Sequence, residues 1–112
     1  MLATRGDSLI YIKDLQRLCY DENIAITKHA NIRLHDRRIS IDDIKHAIKT
    51  GVVIRQYEDD KPFPSCLLLG SAQNGQYIHV VTSINEETLY IITAYVPSET
   101  EWENGFKTRK GQ

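Results

Sequence analysis

Apolar positions recur at helical spacing in the first half of this chain and at strand spacing in the second. Behind Ser8, which suits an N-cap, the segment LIYIKDLQRLCYDEN (9–23) carries Ile12, Leu15, Leu18 and Cys19 on one stripe and predicts a helix. IAIT (24–27) reads as a short strand or an extended lead-in. KHANIRLHDR (28–37) predicts a second helix, with Ala30 and Leu34 facing inward. SIDDIKHAIKTG (40–51) predicts a third. Ser40 caps it, and Asp42 and Asp43 sit at its positive end. Ile41, Ile44, Ala47 and Ile48 form its apolar stripe, and Gly51 supplies a left-handed cap.

From Val52 the period shortens. VVIRQY is followed by an acidic turn, EDDKPFPS, whose two prolines exclude a regular ladder. CLLLGSA, a turn at Asn74-Gly75, QYIHVVTSI, a turn at NEE and TLYIITAYV then read as a meander of antiparallel strands. A three-residue NEE loop pairs Ile84 with Thr88, and so sets His79 across from Thr93 and Tyr77 across from Tyr95. Ile78, Val80, Thr82 and Ile84 then join Tyr90, Ile92, Ala94 and Val96 on an apolar face. His79, Thr93, Tyr77 and Tyr95 share the other. A two-residue turn would reverse the faces of one strand, because side chains alternate. The fold expected is α+β, two to three N-terminal helices packed on one face of a roughly four-stranded antiparallel sheet.

Composition narrows the picture. With 112 residues, 41% hydrophobic and 26% charged, the chain is sized for one globular domain spanning 1–112. Its core is expected over about 8–105, with one helical turn near Trp102 and a flexible basic tail over 106–112. The net charge is −1, so affinity for nucleic acid must come from a local patch. No apolar run approaches the roughly 18 residues of a membrane span, and MLATRGDS lacks the apolar core of a signal peptide. A cytoplasmic protein without membrane contact is expected, with Cys19 and Cys66 as buried free thiols.

One segment breaks this neutrality. ITKHANIRLHDRR (26–38) carries two histidines, three arginines and a lysine against a single acid, Asp36. On a helix His29, Arg33 and Arg37 fall at i, i+4 and i+8, on one stripe beside Ala30 and Leu34. Imidazole can give or take a proton near neutrality, and guanidinium holds phosphate oxygens and the charge that develops on them. Lys28 and Arg38 add positive potential. The same spacing equally describes a solvated helix face, and His29 a hydrogen-bonder at a helix start. His79, on a strand among apolar neighbours, is balanced between a structural and a chemical role. The facing tyrosines can stack bases or cover a core edge. His46, beside Lys45, is expected in solvent, and His35 near a helix end. No histidine pair has metal-ligand spacing with a Cys or carboxylate, so no metal is expected, and there is no Gly-rich phosphate loop.

The motifs T-x-H-A-x-x-R-x-x-x-R-x-I, Y-x-D-D-x-P-x-P-S, H-V-V and T-x-Y-x-P-x-x-x-x-W, in that order over roughly residues 24–105, resemble a prokaryotic family of small uncharacterised domains. That family is in turn distantly similar to the RelE/ParE, BrnT and MqsR toxins. The resemblance implies a RelE-like sheet with helices on one face and substrate on the other. It also implies a metal-independent endoribonuclease without cofactor, cleaving mRNA. A neighbour-encoded antitoxin is implied as its partner, in some cases of the zinc-ribbon/helix-turn-helix type.

Carried onto this chain, His29 or His79 takes the proton of a ribose 2′-hydroxyl, and Arg33 and Arg37 hold the phosphate. Tyr95 or the other histidine donates to the leaving 5′-oxygen. Tyr57 or Tyr77 stacks a base, with Lys28 and Thr93 contributing to binding. The cationic C-terminal residues of several RelE-type enzymes have only loose counterparts in Lys107, Arg109 and Lys110. Two rival readings stand beside this one. The first is a partner module whose basic helix docks an acidic protein surface, including the YEDD loop of a second copy in a homodimer. The second is an RNA or phosphate binder without turnover.

Overall fold

The computed structural model describes residues 8–103 and 105–111. Expectations that rest on 1–7, including the leader and the N-terminal limit of the domain, lie outside them, as does residue 112. The elements run α1 (Ile12–Arg17), a short 3₁₀ turn (Asp21–Asn23), β1 (Ile24–Ile26), α2 (Lys28–Asp36), α3 (Ile41–Thr50) and β2 (Val52–Tyr57). They continue with β3 (Ser65–Ser71), β4 (Tyr77–Asn85), β5 (Thr88–Tyr95), β6 (Trp102–Glu103) and β7 (Thr108–Arg109). The class is α+β, with three helices, but the main sheet has five strands in the order β1-β5-β4-β3-β2 and is mixed. Residues 24–26 make the difference: they pair in parallel with Leu89–Ile91 and add a fifth strand to the expected antiparallel meander. No helix among the described residues is long and apolar enough to cross a membrane.

α1 is shorter than its stripe suggests. It begins after Tyr11 with no side-chain cap, and Ser8 plays no part in it. The cause lies across the chain. The Gln56 amide accepts from the Ile10 N–H (2.9 Å) and donates to the Ile10 carbonyl (2.7 Å), holding residue 10 along β2 and denying it to the helix. α3 forms as expected. Ser40 Oγ accepts from the Asp43 N–H and Asp43 Oδ2 accepts from the Ser40 N–H, a reciprocal capping box that satisfies two otherwise orphaned donors. Its Ile44, Ala47 and Ile48 are fully buried against the sheet.

Gly51, expected to cap α3 in a left-handed conformation, is extended (φ −97°, ψ 176°). It is small for a different reason: a Cβ there would lie 2.4 Å from the Ala47 carbonyl oxygen and 2.7 Å from that of Leu69. Gly70 on β3 is tighter still, its missing Cβ 2.1 Å from the same Ala47 oxygen. α3 therefore lies directly on the backbone of β3 at this point.

The β4–β5 turn is the two-residue form, with Asn85 opposite Thr88 and Glu86 at φ 55°. That register sets Thr82 opposite Ile91 and Ser83 opposite Tyr90, so Leu89 and Ile91 enter the core in place of the expected Tyr90 and Ile92. A β-bulge at Ile92 then shifts the ladder. Beyond it Val81 faces Thr93, Val80 faces Ala94 and His79 faces Tyr95, two residues from the expected pairing of His79 with Thr93, one from the turn and one from the bulge. The bulge re-aims β5 and returns Ala94 to the helix side.

The second face is not left open. Leu67, Leu69 and His79 point away from the helices yet are buried, and the C-terminal segment crosses over His79. The expected turn near Trp102 exists, with the Glu101 and Trp102 amides both donating to the Ser98 carbonyl. The chain then forms the β6–β7 hairpin and buries Trp102. The tail expected to run loose from 106 is thus folded back through Thr108–Arg109, because an apolar second face needs a cover that the helices cannot supply. Burying one indole contributes on the order of 4 kcal/mol.

The α3–β3 contact yields a direct test. Gly70→Ala should lower stability by about 2–3 kcal/mol in urea unfolding, since neither the Ala47 backbone nor β3 can yield. Gly75→Ala, at φ 88° with open space around it, should cost about 1 kcal/mol through backbone strain alone.

Candidate functional site

α2 is positioned at both ends. Thr27 Oγ1 accepts from the Ala30 N–H (3.1 Å) and caps its start. At its end the Arg38 and Ile39 amides donate to the His35 and Leu34 carbonyls (3.0 and 2.9 Å), with Arg38 left-handed at φ 59°. This is a Schellman closure with arginine where glycine is usual. It buries Ile39, returns the chain to the Ser40 cap, and leaves Arg37 as the last residue of the turn.

β1 pairs with β5 only as far as Ile91, so on that side the rest of β5 has no strand neighbour among the described residues. Arg37 occupies this rim. Its Nη1 donates to Thr93 Oγ1 (3.0 Å) and to the Ala94 carbonyl (2.9 Å). Because His29 and Arg33 share the Arg37 flank of α2, this anchorage turns the whole stripe toward the rim of β5. Arg33 stands about 6 Å and His29 about 12 Å from Arg37 along the helix axis. Lys28, His29 and Arg33 are all exposed.

Beyond Thr93 on the same face of β5 lies Tyr95, half-buried, and across from it His79, fully buried. His79 Nε2 is 2.8 Å from the Phe106 carbonyl oxygen, which can only accept, so Nε2 carries the proton. Nδ1 is therefore the acceptor for the Tyr95 hydroxyl at 3.3 Å. The Trp102 ring stands edge-on to the imidazole at 4.4 Å, and Tyr95 edge-on at 5.3 Å. Burial pushes the His79 pKa below its ordinary value, and the Phe106 hydrogen bond offsets part of this. Burial likewise raises the Tyr95 hydroxyl, with Tyr57 and Glu101 adding to the shift and Arg109 and Arg37 opposing it. Those four side chains thus lie close enough to act on Tyr95.

Of the residues singled out from the sequence, Arg37, Thr93, Tyr95 and His79 form one contiguous cluster, with Tyr57 within its electrostatic reach. Lys28, His29 and Arg33 lie along its approach on α2. Tyr77 stands apart, half-exposed, with its ring 6.1 Å from Phe106. His79 is itself fully buried, and its Nδ1 partner Tyr95 is half-buried. His46 is not in solvent: it is half-buried, and its Nδ1 meets the Ser71 carbonyl at 2.7 Å. Cys19 and Cys66 are free and buried, and burial pushes the Cys66 thiol up to about 12.

Sequence reasoning missed Arg55, which the Ile54 bulge in β2 turns onto the second face opposite Leu67. It also missed Trp102 and Phe106, which enclose His79. The single tryptophan four residues before a phenylalanine was the available signal for a tail that packs. Among the described residues no group of three or more His, Cys, Asp or Glu is arranged to hold a metal ion.

Residues 26–96 match the model of a family described as Domain of unknown function (DUF4258). No curated protein and no solved structure matches the chain.

The enclosed imidazole fixes the sign of a pH effect. Its folded-state pKa is depressed, so the unfolded chain binds the proton more tightly. The stability it supports is present above the unfolded value of about 6.5 and is lost as the pH falls toward the lower folded value. Thermal unfolding should show Tm declining as the pH falls below about 6.5, and His79→Gln should remove that decline while lowering Tm at neutral pH. A wild-type Tm that stays flat across this window would contradict a buried neutral His79.

Proposed function

Because the chain belongs to the DUF4258 family, whose description assigns no reaction, we propose its activity from the rim of β5: a metal-independent endoribonuclease. It binds single-stranded RNA along the basic flank of α2 and cleaves it by 2′-hydroxyl attack. The observation that carries this reading is Arg37, held by Thr93 and Ala94 beside a Tyr95 hydroxyl that already donates to a buried imidazole. The resemblance to RelE-type toxins supports the same reading, as does the combination of helices on one sheet face with a tyrosine–arginine cluster on the other side.

Each group takes a role that its position allows. His79, enclosed, never meets the RNA and acts behind Tyr95. As the 2′-hydroxyl proton passes to Tyr95 Oη, the tyrosine's own proton passes to His79 Nδ1. The imidazolium so formed keeps its Nε2–H on the Phe106 carbonyl. The O2′–P bond forms, the P–O5′ bond breaks, and the 5′-oxygen leaves with the bonding pair and takes a proton from water; the hydroxide left behind recovers the proton from the His79 imidazolium through Tyr95. The products are a 2′,3′-cyclic phosphate and a 5′-hydroxyl. Arg37 stabilises charge on the phosphoryl oxygens. Arg33, His29 and Lys28, further along the helix, hold neighbouring phosphates and do not touch the reacting one. Tyr57 is placed to stack a base. Deoxyribose offers no internal nucleophile, so DNA is not cut. The same basic flank is the surface an acidic, neighbour-encoded antitoxin would cover in the cytoplasm.

A second reading draws on the enclosure of His79. With both ring nitrogens engaged inside the fold, the cluster can serve stability alone, and the α2 flank then docks an acidic partner or a second copy without chemistry.

Incubating purified protein with single-stranded RNA separates the two. Under the nuclease reading, cyclic-phosphate ends accumulate and excess chelator leaves the rate unchanged. Tyr95→Phe and Arg37→Ala should each lose on the order of 10²-fold or more, and Arg33→Ala should weaken binding. Cleavage of fully 2′-deoxy strands, or full activity in both Tyr95→Phe and Arg37→Ala, would overturn the assignment.

A further inference from the structure

A pocket of about 300 Å³ opens on the sheet edge beside the start of α2. Its lining includes Lys61, Pro62 and Phe63 of the loop before β3, Tyr90 and Ile92 of β5, and Thr27. The Phe63 and Tyr90 rings are stacked, their centroids 6.1 Å apart and their planes 27° from parallel. Ile92 is the bulged residue, with no residue set opposite it by β1 or by β4. We propose that this pocket receives one unpaired nucleobase of the RNA strand lying along α2, an inference that rests on the RNA reading above.

The chemistry selects the occupant. The volume lies at the lower end of those that hold small molecules, enough for a single ring system. A stacked aromatic pair can be extended by a further planar π-face, while Thr27 and Lys61 in the lining suit the base edge and the sugar that follows it. Charge fixes the orientation. Glu58, Asp59 and Asp60 precede Lys61 on the loop side and repel phosphate there. On the opposite side Thr27 leads straight into Lys28 and the His29–Arg33–Arg37 flank. The base therefore enters the pocket and its phosphates turn toward α2. Thr27, before α2, lines the pocket with Ile91 and Ile92, and Arg37, after it, bonds Thr93 and Ala94, so pocket and rim follow one another along β5.

The test compares two fluorescein-labelled, 2′-O-methylated single-stranded RNAs in anisotropy titrations, one with all its bases and one with abasic riboses. Wild-type protein should bind the base-bearing strand on the order of tenfold more tightly. Phe63→Ala should abolish that preference while still binding the abasic strand, and Arg33→Ala should weaken both strands alike. In parallel, adding a nucleoside monophosphate to the wild-type protein should shift the Phe63 and Tyr90 ring resonances, a readout independent of how well the variant folds. Equal binding of the two strands, still sensitive to Arg33→Ala, overturns the pocket and leaves the RNA reading standing. If neither strand binds, both readings are overturned.

Discussion

A sheet has two faces, and a small chain must cover both. Here the helices cover one, and a single buried imidazole secures the cover of the other. His79 points away from the helices, toward what would be solvent, and is fully buried because the C-terminal segment lies across it. Its Nε2–H ties it to the Phe106 backbone, its Nδ1 to Tyr95, and its ring packs edge-on to Trp102. Without that anchor Leu67 and Leu69 would form part of an exposed apolar face. The tail is accordingly part of the fold, and the rim of β5 stays accessible beside it.

That rim exists because two local irregularities coincide. β1 is three residues long and pairs no further than Ile91. One residue later the bulge at Ile92 reverses which side chains of β5 face the helices. Regular pairing would have carried β1 along β5 and left no edge for Arg37 to grip. With both interruptions, α2 can settle its Arg37 guanidinium on Thr93 and Ala94 and present its basic flank beside Tyr95. The other interior constraint is steric. Ala47 lies against Gly51 and Gly70 so closely that no side chain fits, which fixes the height of α3 over β3 and, through the Ser40 turn, the place where α2 must end.

In the proposed mechanism the proton relay and the phosphate track divide labour by depth. His79, its pKa lowered, sits inside, where desolvation keeps it neutral, and the arginines sit outside, where they remain solvated. A buried His79 that met the substrate directly would have to open the C-terminal cover first. Working through Tyr95 avoids that cost.

Local signals alone located most elements. The stripe of α3, its Ser40–Asp43 box, the helix of 28–37 and the strand runs were all legible, because capping, periodicity and turn residues act over a few positions. The basic stripe was legible for the same reason, since charge and i, i+4 spacing are properties of one helix. What the sequence could not settle were decisions made between distant segments. Gln56 shortened α1 by bonding Ile10, and the parallel docking of 24–26 made the sheet mixed. Arg38 took a left-handed turn without glycine, and the Ile92 bulge chose Tyr95 as the partner of His79. Residue types and their order determined which groups were available. Tertiary packing decided which of them meet, because register, bulges and cover depend on satisfying the backbone and apolar surface of the whole chain at once.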